Sequence, residues 1–202
     1  MTRTLTVPAS DPGGPALDEA VEVLRAGGTV VFPTESFYGL GVQALDAAAV
    51  ARVFRLKGRP ESKPLLVLVD SVKMAEALAA SISDGARELM ARHWPGPLTL
   101  VLAAVPGLPQ ALTAGTGTVG VRVPGHPVAL ALVRAAGVPV TAPSANPSRE
   151  APAVSAEDVR RYFGGGVDLI LDGGSTAGGP GSTVADCTVW PPRVLRQGPV
   201  VL

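Results

Sequence analysis

The feature that most constrains this chain is a set of short, unbroken apolar runs: "TVVFPT", "LLVLV", "LTLVLAAV" and "VDLILDGG". They lack the polar alternation of a half-solvated strand, so each needs cover on both faces. Segments of helical period lie between them. Leu17, Ala20, Val21 and Leu24 fall at i, i+3, i+4 and i+7, ahead of Gly27-Gly28. "DAAAVARVFRLKG" predicts a second helix, with Asp46 as N-cap and Gly58 just past its end. "SVKMAEALAA", "HPVALALVRAAG" and "SAEDVRRYF" predict three more, the last with Ser155 and Asp158 in capping-box register. "TVGVRV", "VPVTAP" and "STVADCTVW" complete the strands. Several strand pairs have no helix between them, so the pattern predicts an α/β fold whose open sheet is mixed and flanked by helices.

Composition narrows the function. The chain of 202 residues suits one domain over 1–202. Seventeen basic residues balance seventeen acidic ones, which argues against a nucleic-acid binder held by net charge alone. Cys187 is the only cysteine, so neither an intramolecular disulfide nor a cysteine zinc cluster is available. The start "MTRTLTVPASDPGG" carries no long apolar segment, and no apolar run reaches the ~18 residues of a membrane span. A cytoplasmic protein with no membrane partner is the expectation.

The usual catalytic signatures are missing. There are two histidines, His93 and His126, both beside turn or helix-entry residues, and no GxSxG or HExxH occurs. "GGPGST" lacks the lysine of a phosphate-binding P-loop, and "YGLGVQ" holds only a fragment of a dinucleotide fingerprint. The polar residues gain meaning as a set. Lys57, Arg59 and Lys63 crowd into "RLKGRPESKPLLVLV", Arg122 interrupts an apolar strand, and Arg196 stands alone in "VLRQG". An arginine in a buried strand needs an anion, because leaving it unpaired costs several kcal/mol. That anion is either a structural Asp or Glu, or a ligand. "PSANPS" follows a buried strand directly and can offer small donors and acceptors to such a ligand.

Taken together, "FPTESFYGLG", "RLKGRPESKPLLVLV", "HWPGPLTLVL", "GVRVPGHP", "TAPSANPS", "GSTVADCT" and "VLRQG" occur in an order that resembles the YrdC/TsaC family. These are the L-threonylcarbamoyladenylate synthases of tRNA modification. The paired KxR and SxN elements, here Lys57/Arg59 and Ser144/Asn146, are specific when they co-occur with the "PTE" block. The resemblance runs over about 17–198, which it marks as the core of the domain, and implies an open twisted α/β sheet with a large concave, positively charged cavity, in the short single-domain form. It implies a nucleotidyltransferase that makes threonylcarbamoyl-AMP and diphosphate from L-threonine, bicarbonate or CO₂, and ATP. The product would serve t6A formation at the adenosine beside the anticodon of ANN-decoding tRNAs, through downstream threonylcarbamoyl-transferase proteins. Mg²⁺ would accompany ATP, held by phosphates and water with no tight protein metal site.

Carried onto this chain, the resemblance makes Lys57, Arg59, Ser144 and Asn146 the catalytic set. It gives Ser36, Arg122, Ala142 and Ser182 to threonine, and Arg59, Lys63, Thr118, Ser144 and Arg196 to ATP. The chain also departs from the family pattern. Ser148-Arg149 replaces the usual Ser-Gly, Phe37 a small aliphatic residue, Lys63 a frequent asparagine, and Leu68 a position that is polar in some members. The alternative is a module of the same fold that takes double-stranded RNA or tRNA on the same positive surface without synthase activity.

Overall fold

A computed structural model describes residues 2–60 and 62–202, so Glu61 in the cationic loop lies outside the described residues. In chain order the elements are β1 (Arg3–Thr6), α1 (Pro15–Arg25), β2 (Val30–Pro33), β3 (Tyr38–Gly41), α2 (Ala47–Lys57) and β4 (Leu66–Leu68). Then come α3 (Val72–Glu76), α4 (Asp84–His93), β5 (Leu98–Ala103), α5 (Gln110–Thr113), β6 (Thr118–Arg122) and α6 (Pro127–Ala136). The chain continues through β7 (Val140–Thr141), α7 (Ala156–Phe163), β8 (Leu169–Asp172), β9 (Thr183–Asp186) and β10 (Arg193–Arg196).

The strands form two open mixed sheets. One has the order β1-β8-β2-β3 and the other β10-β9-β5-β6-β4-β7. They meet edge to edge where β3 runs antiparallel to the chain from β7 onward. There the Leu40 N–H donates to Pro143 O at 2.8 Å, Ala145 N–H to Tyr38 O at 2.7 Å, and Thr141 N–H to Val42 O at 3.0 Å. The open mixed surface expected from the apolar runs is therefore a pair of sheets joined at one seam.

The helix signals act as expected at several ends. Asp46 accepts from the N–H groups of Ala48 and Ala49, and Gly58 closes α2 in the left-handed conformation at φ 55°. Ser155 accepts from Asp158 N–H, while the Asp158 carboxylate takes the Ser155 hydroxyl and the Val154 N–H, which holds that acid below the usual carboxylate range. "SVKMAEALAA" fails as a full helix and stops at Glu76. Beyond it the Ala80 N–H donates to Ala103 O and Ala79 bridges to Ala104, so pairing with the edge of β5 wins over helical propensity. Strands β1 and β10 and helices α4 and α5 are additions to the sequence reading, and β1 extends the sheet ahead of residue 17.

Apolar layers lie on both faces. Helices α1 and α6 pack on each other through Leu17, Val21 and Leu24 with Val128, Leu132 and Val133, covering β2 and β8. Val50, Val53 and Phe54 of α2 join Val159 of α7 and the inner residues of β5 and β6 in the larger cluster. "YGLG" is explained by packing. A Cβ on Gly41 would stand 2.6 Å from Phe32 Cε1 and 2.9 Å from Val140 Cγ1, so the glycine admits the Phe32 ring across the hairpin. Among the described residues no helix is long and apolar enough to cross a membrane.

Candidate functional site

The seam between the sheets opens into a hollow of about 510 Å³, within the range of small-molecule sites. The β2–β3 turn, the loop after α2, the cavity-facing positions of β5 and β6, the segment after β7, the glycine loop before β9, and β10 all contribute to its wall. Arg59, Arg122 and Arg196 line it, and among the described lining residues there is no carboxylate. Ser36, Ala142, Ser144, Ser182 and Thr118 line it as well. Eight of the eleven expected residues therefore line it, and both expected ends, Arg122 with Ser36 and Ser182, and Arg59 with Ser144 and Thr118, share one space.

Arg122 points into this space from the end of β6 with only 4% of its side chain exposed. Among the described residues its one ionic partner is Glu35, at a loose 3.4 Å, and its buried Nε has no hydrogen-bond partner there. Burial depresses the guanidinium; Glu35 opposes that effect and Arg196 adds to it. Both of the alternatives open at sequence level thus apply in part: a glutamate is present, yet donor capacity remains unused. Arg196 reaches back from β10, with Nε donating to Ser182 O and Nη2 to Ser182 Oγ, each at 2.9 Å. Ser182 Oγ lies 2.8 Å from Thr99 Oγ1, so an arginine and two hydroxyls make one connected wall. Arg59 folds its guanidinium onto the carbonyls of Lys63 and Pro64 at 3.2 and 3.0 Å. Burial pulls Arg59 and Arg196 down from the ordinary arginine value, yet a guanidinium stays charged near neutrality, so all three favour a bound anion.

Three residues of the expected set are not in the wall. Lys63 stands outside the lining residues and contributes its carbonyl to Arg59. Lys57 is only 3% exposed, and its ammonium donates to Ser144 O at 2.5 Å and Asn146 O at 2.6 Å, with Asn146 Oδ1 at 3.5 Å. Its own carbonyl accepts from Ser148 N–H at 2.7 Å. Burial, and secondarily Arg59, push the Lys57 ammonium down to about 7. Asn146 turns its amide onto the Pro147 and Glu150 carbonyls. Lys57 and Asn146 thus brace the Pro143–Ser148 segment from behind while Ser144 faces the hollow. The cause is the helix geometry: α2 ends inside the fold, and its last side chain meets the backbone that passes over it.

Several wall residues were missed by sequence reasoning. Thr99 was visible as a hydroxyl within the apolar run "LTLVL". Glu35, which stands behind the wall against Arg122 and is not one of its lining residues, sits in the quoted "PTE", but its pairing across the seam depends on tertiary structure. The glycine loop enters through Gly179 and Gly181, both at positive φ, and is tied down by Gly178 N–H to Ser36 O at 2.7 Å. Tyr38 anchors the start of that loop, its hydroxyl donating to Gly174 O at 2.7 Å; burial, then Asp172, push this phenol up to about 12.

Comparison with known proteins agrees with this geometry. The profile of the Sua5/YciO/YrdC family, described as telomere recombination, matches residues 22–198. A Pyrococcus abyssi protein named threonylcarbamoyl-AMP synthase is 46% identical over 179 residues, covering 89% of this chain and 53% of its own. A Bacillus subtilis protein of the same name is 42% identical, covering 91% of this chain and 54% of its own. The chain thus spans about half the length of these two relatives. A Mycobacterium tuberculosis relative, 42% identical over 200 residues, is covered to 92%. Among solved structures, P. abyssi Sua5 complexed with L-threonine superimposes with a TM-score of 0.88 at 41% identity, over 97% of this chain and 57% of that one. Escherichia coli YciO gives 0.86 at 28% identity, over 100% and 97%. With the profile running from α1 past β10 and the strand arrangement shared across these structures, the chain belongs to the Sua5/YciO/YrdC family.

Proposed function

We propose that this protein is a threonylcarbamoyl-AMP synthase, a nucleotidyltransferase that joins L-threonine, CO₂ or bicarbonate, and MgATP. The observation that carries this reading is the single hollow in which three arginines and several small hydroxyls converge without a lining carboxylate among the described residues. Such a wall suits a substrate set whose charge is mostly negative. The names of the relatives and the threonine complex of P. abyssi Sua5 support the choice of substrates.

The reaction needs little covalent help from the protein. The free amine of threonine bonds to the carbon of CO₂ and loses a proton, giving an N-carboxylate. A carboxylate oxygen then attacks the α-phosphorus of ATP, the bond from that phosphorus to the bridging oxygen breaks, and diphosphate leaves. Catalysis rests on holding the reactants in line and stabilising charge on the phosphate oxygens. Arg122 takes the threonine carboxylate through a charge-assisted hydrogen bond, with Ser36, Ala142 and Ser182 around it. Arg59, Arg196, Thr118 and Ser144 face the nucleotide. Lys57 and Asn146 act through the segment they brace, which fixes where Ser144 stands. Mg²⁺ arrives on the triphosphate with phosphate and water ligands, since the described wall offers it no carboxylate. Cytoplasmic supply of t6A synthesis on tRNA, and hand-over to threonylcarbamoyl-transferase proteins, complete the proposal.

The test is direct. Pure protein with L-threonine, bicarbonate and MgATP should yield threonylcarbamoyl-AMP and diphosphate, read by mass spectrometry and a diphosphate assay. Diphosphate release that is indifferent to threonine, or no adduct at all, would overturn the assignment. Salt-sensitive binding of duplex RNA in the absence of product would favour the RNA-binding module instead.

A further inference from the structure

Arg122 and Glu35 form an incomplete pair. The carboxylate is pinned on one side, where Glu35 Oε1 accepts from Gly125 N–H at 2.6 Å. On the other side Oε2 approaches Arg122 Nη1 only to 3.4 Å, and both Oε2 and Arg122 Nε are buried with no hydrogen-bond partner among the described residues. Buried polar atoms are nearly always satisfied, so two orphans on facing members of one ion pair mark a contact held short of its best geometry. Glu35 belongs to the tight turn between β2 and β3, which Thr34 fixes by donating its hydroxyl to Phe37 O at 2.7 Å. Arg122 belongs to the other sheet. Each side chain is therefore held by its own backbone, and neither can close the gap freely.

Resting on the reading of the hollow as a threonine and ATP site, we propose that Glu35 is a positioning residue that competes with the substrate carboxylate for Arg122 and thereby sets the affinity for the amino acid. In the empty site Glu35 neutralises an arginine that would otherwise be a buried unpaired charge. When the substrate carboxylate arrives, Arg122 must share its charge between two anions. The loose pair makes that sharing feasible, because little hydrogen bonding to Glu35 has to be given up. Burial disfavours the charged guanidinium and Glu35 restores it, in keeping with this balance.

The experiment is calorimetric titration of the full chain with L-threonine and with L-threoninol, which lacks the carboxylate, for wild type and Glu35→Gln. The amide oxygen of Gln can still accept from Gly125, so the turn is preserved while the competing charge is lost. Threonine should bind Glu35→Gln about tenfold more tightly, the scale of one pKa unit imposed by a neighbouring opposite charge. Threoninol should gain nothing. A glutamate that merely supports the fold would give equal or weaker threonine binding on removal, and that result overturns the proposal while leaving the synthase reading intact. If wild type binds no threonine, the synthase reading fails and this inference falls with it. Should Glu35→Gln not fold, Glu35→Asp, which keeps the charge and withdraws it by one methylene, takes its place: tighter threonine binding than wild type supports competition, and equal or weaker binding refutes it.

Discussion

At the scale of single residues, the contrast between Lys57 and Arg122 is informative. Both are nearly buried cations at the ends of regular elements, yet one is saturated with protein acceptors and the other has donors to spare. Arg122→Ala should therefore raise the KM for threonine more than that for ATP, as steady-state kinetics with each substrate varied would reveal. Lys57→Met should act through structure. It strips the donor from Ser144 O and Asn146 O, and an orphaned buried acceptor costs about 1–3 kcal/mol, so urea unfolding should show a loss of at least about 2 kcal/mol. The pH dependence has a definite sign. The folded state holds the Lys57 ammonium at about 7 against an ordinary 10.5, so across that window the unfolded chain binds the proton that the folded chain has released. Stability from this group is lowest below pH 7 and rises as pH climbs toward 10.5. The gap between wild type and Lys57→Met should widen from pH 7 to pH 9, and a constant gap would contradict the depressed value. Sequence reasoning found both residues but not their difference, because which of two cations meets solvent is decided by the backbone that packs over it.

At the scale of elements, the sequence was most legible where local chemistry acts alone. The caps of α2 and α7 and the termination of α6 at Gly137, in the left-handed conformation, follow from single side chains and one permissive backbone position. Asp46→Ala should cost about 1 kcal/mol in thermal or urea unfolding, the usual value of an N-cap, while leaving the KM for threonine unchanged. Legibility fell where partners lie far along the chain. The truncated α3 and the extra strand β1 owe their states to Ala103 and to β8, neither of which sits in a local window. The glycine-rich "GGPGST" is a related case. Its composition announces a turn, but its place in the wall comes from the Ser36 carbonyl and the Tyr38 hydroxyl, held by the other sheet.

At the scale of the molecule, the two sheets share one hollow, and the proposed function assigns both substrates to it. Arg196, proposed for the nucleotide, would connect the two regions, since it lines the hollow and also holds Ser182, proposed for threonine, by two hydrogen bonds. Ligands that order a common wall should bind cooperatively. The rise in Tm with threonine and a non-hydrolysable ATP analogue together should exceed the sum of the separate rises, and strict additivity would separate the two regions. The open mixed α/β class was readable from the apolar runs, and the arginines as candidates from their unusual settings, whereas their convergence on one hollow was expected only from the family resemblance. The seam was not readable, because it depends on which strand edges meet, and strand order is not encoded in periodicity.

That the wall is drawn from segments as far apart as Thr34 and Arg196 has an evolutionary corollary. The hollow is therefore inherited as one unit that needs both sheets, and no single loop or strand could pass it on alone. Change must come by point replacement in an intact gene, or by adding whole modules outside these boundaries.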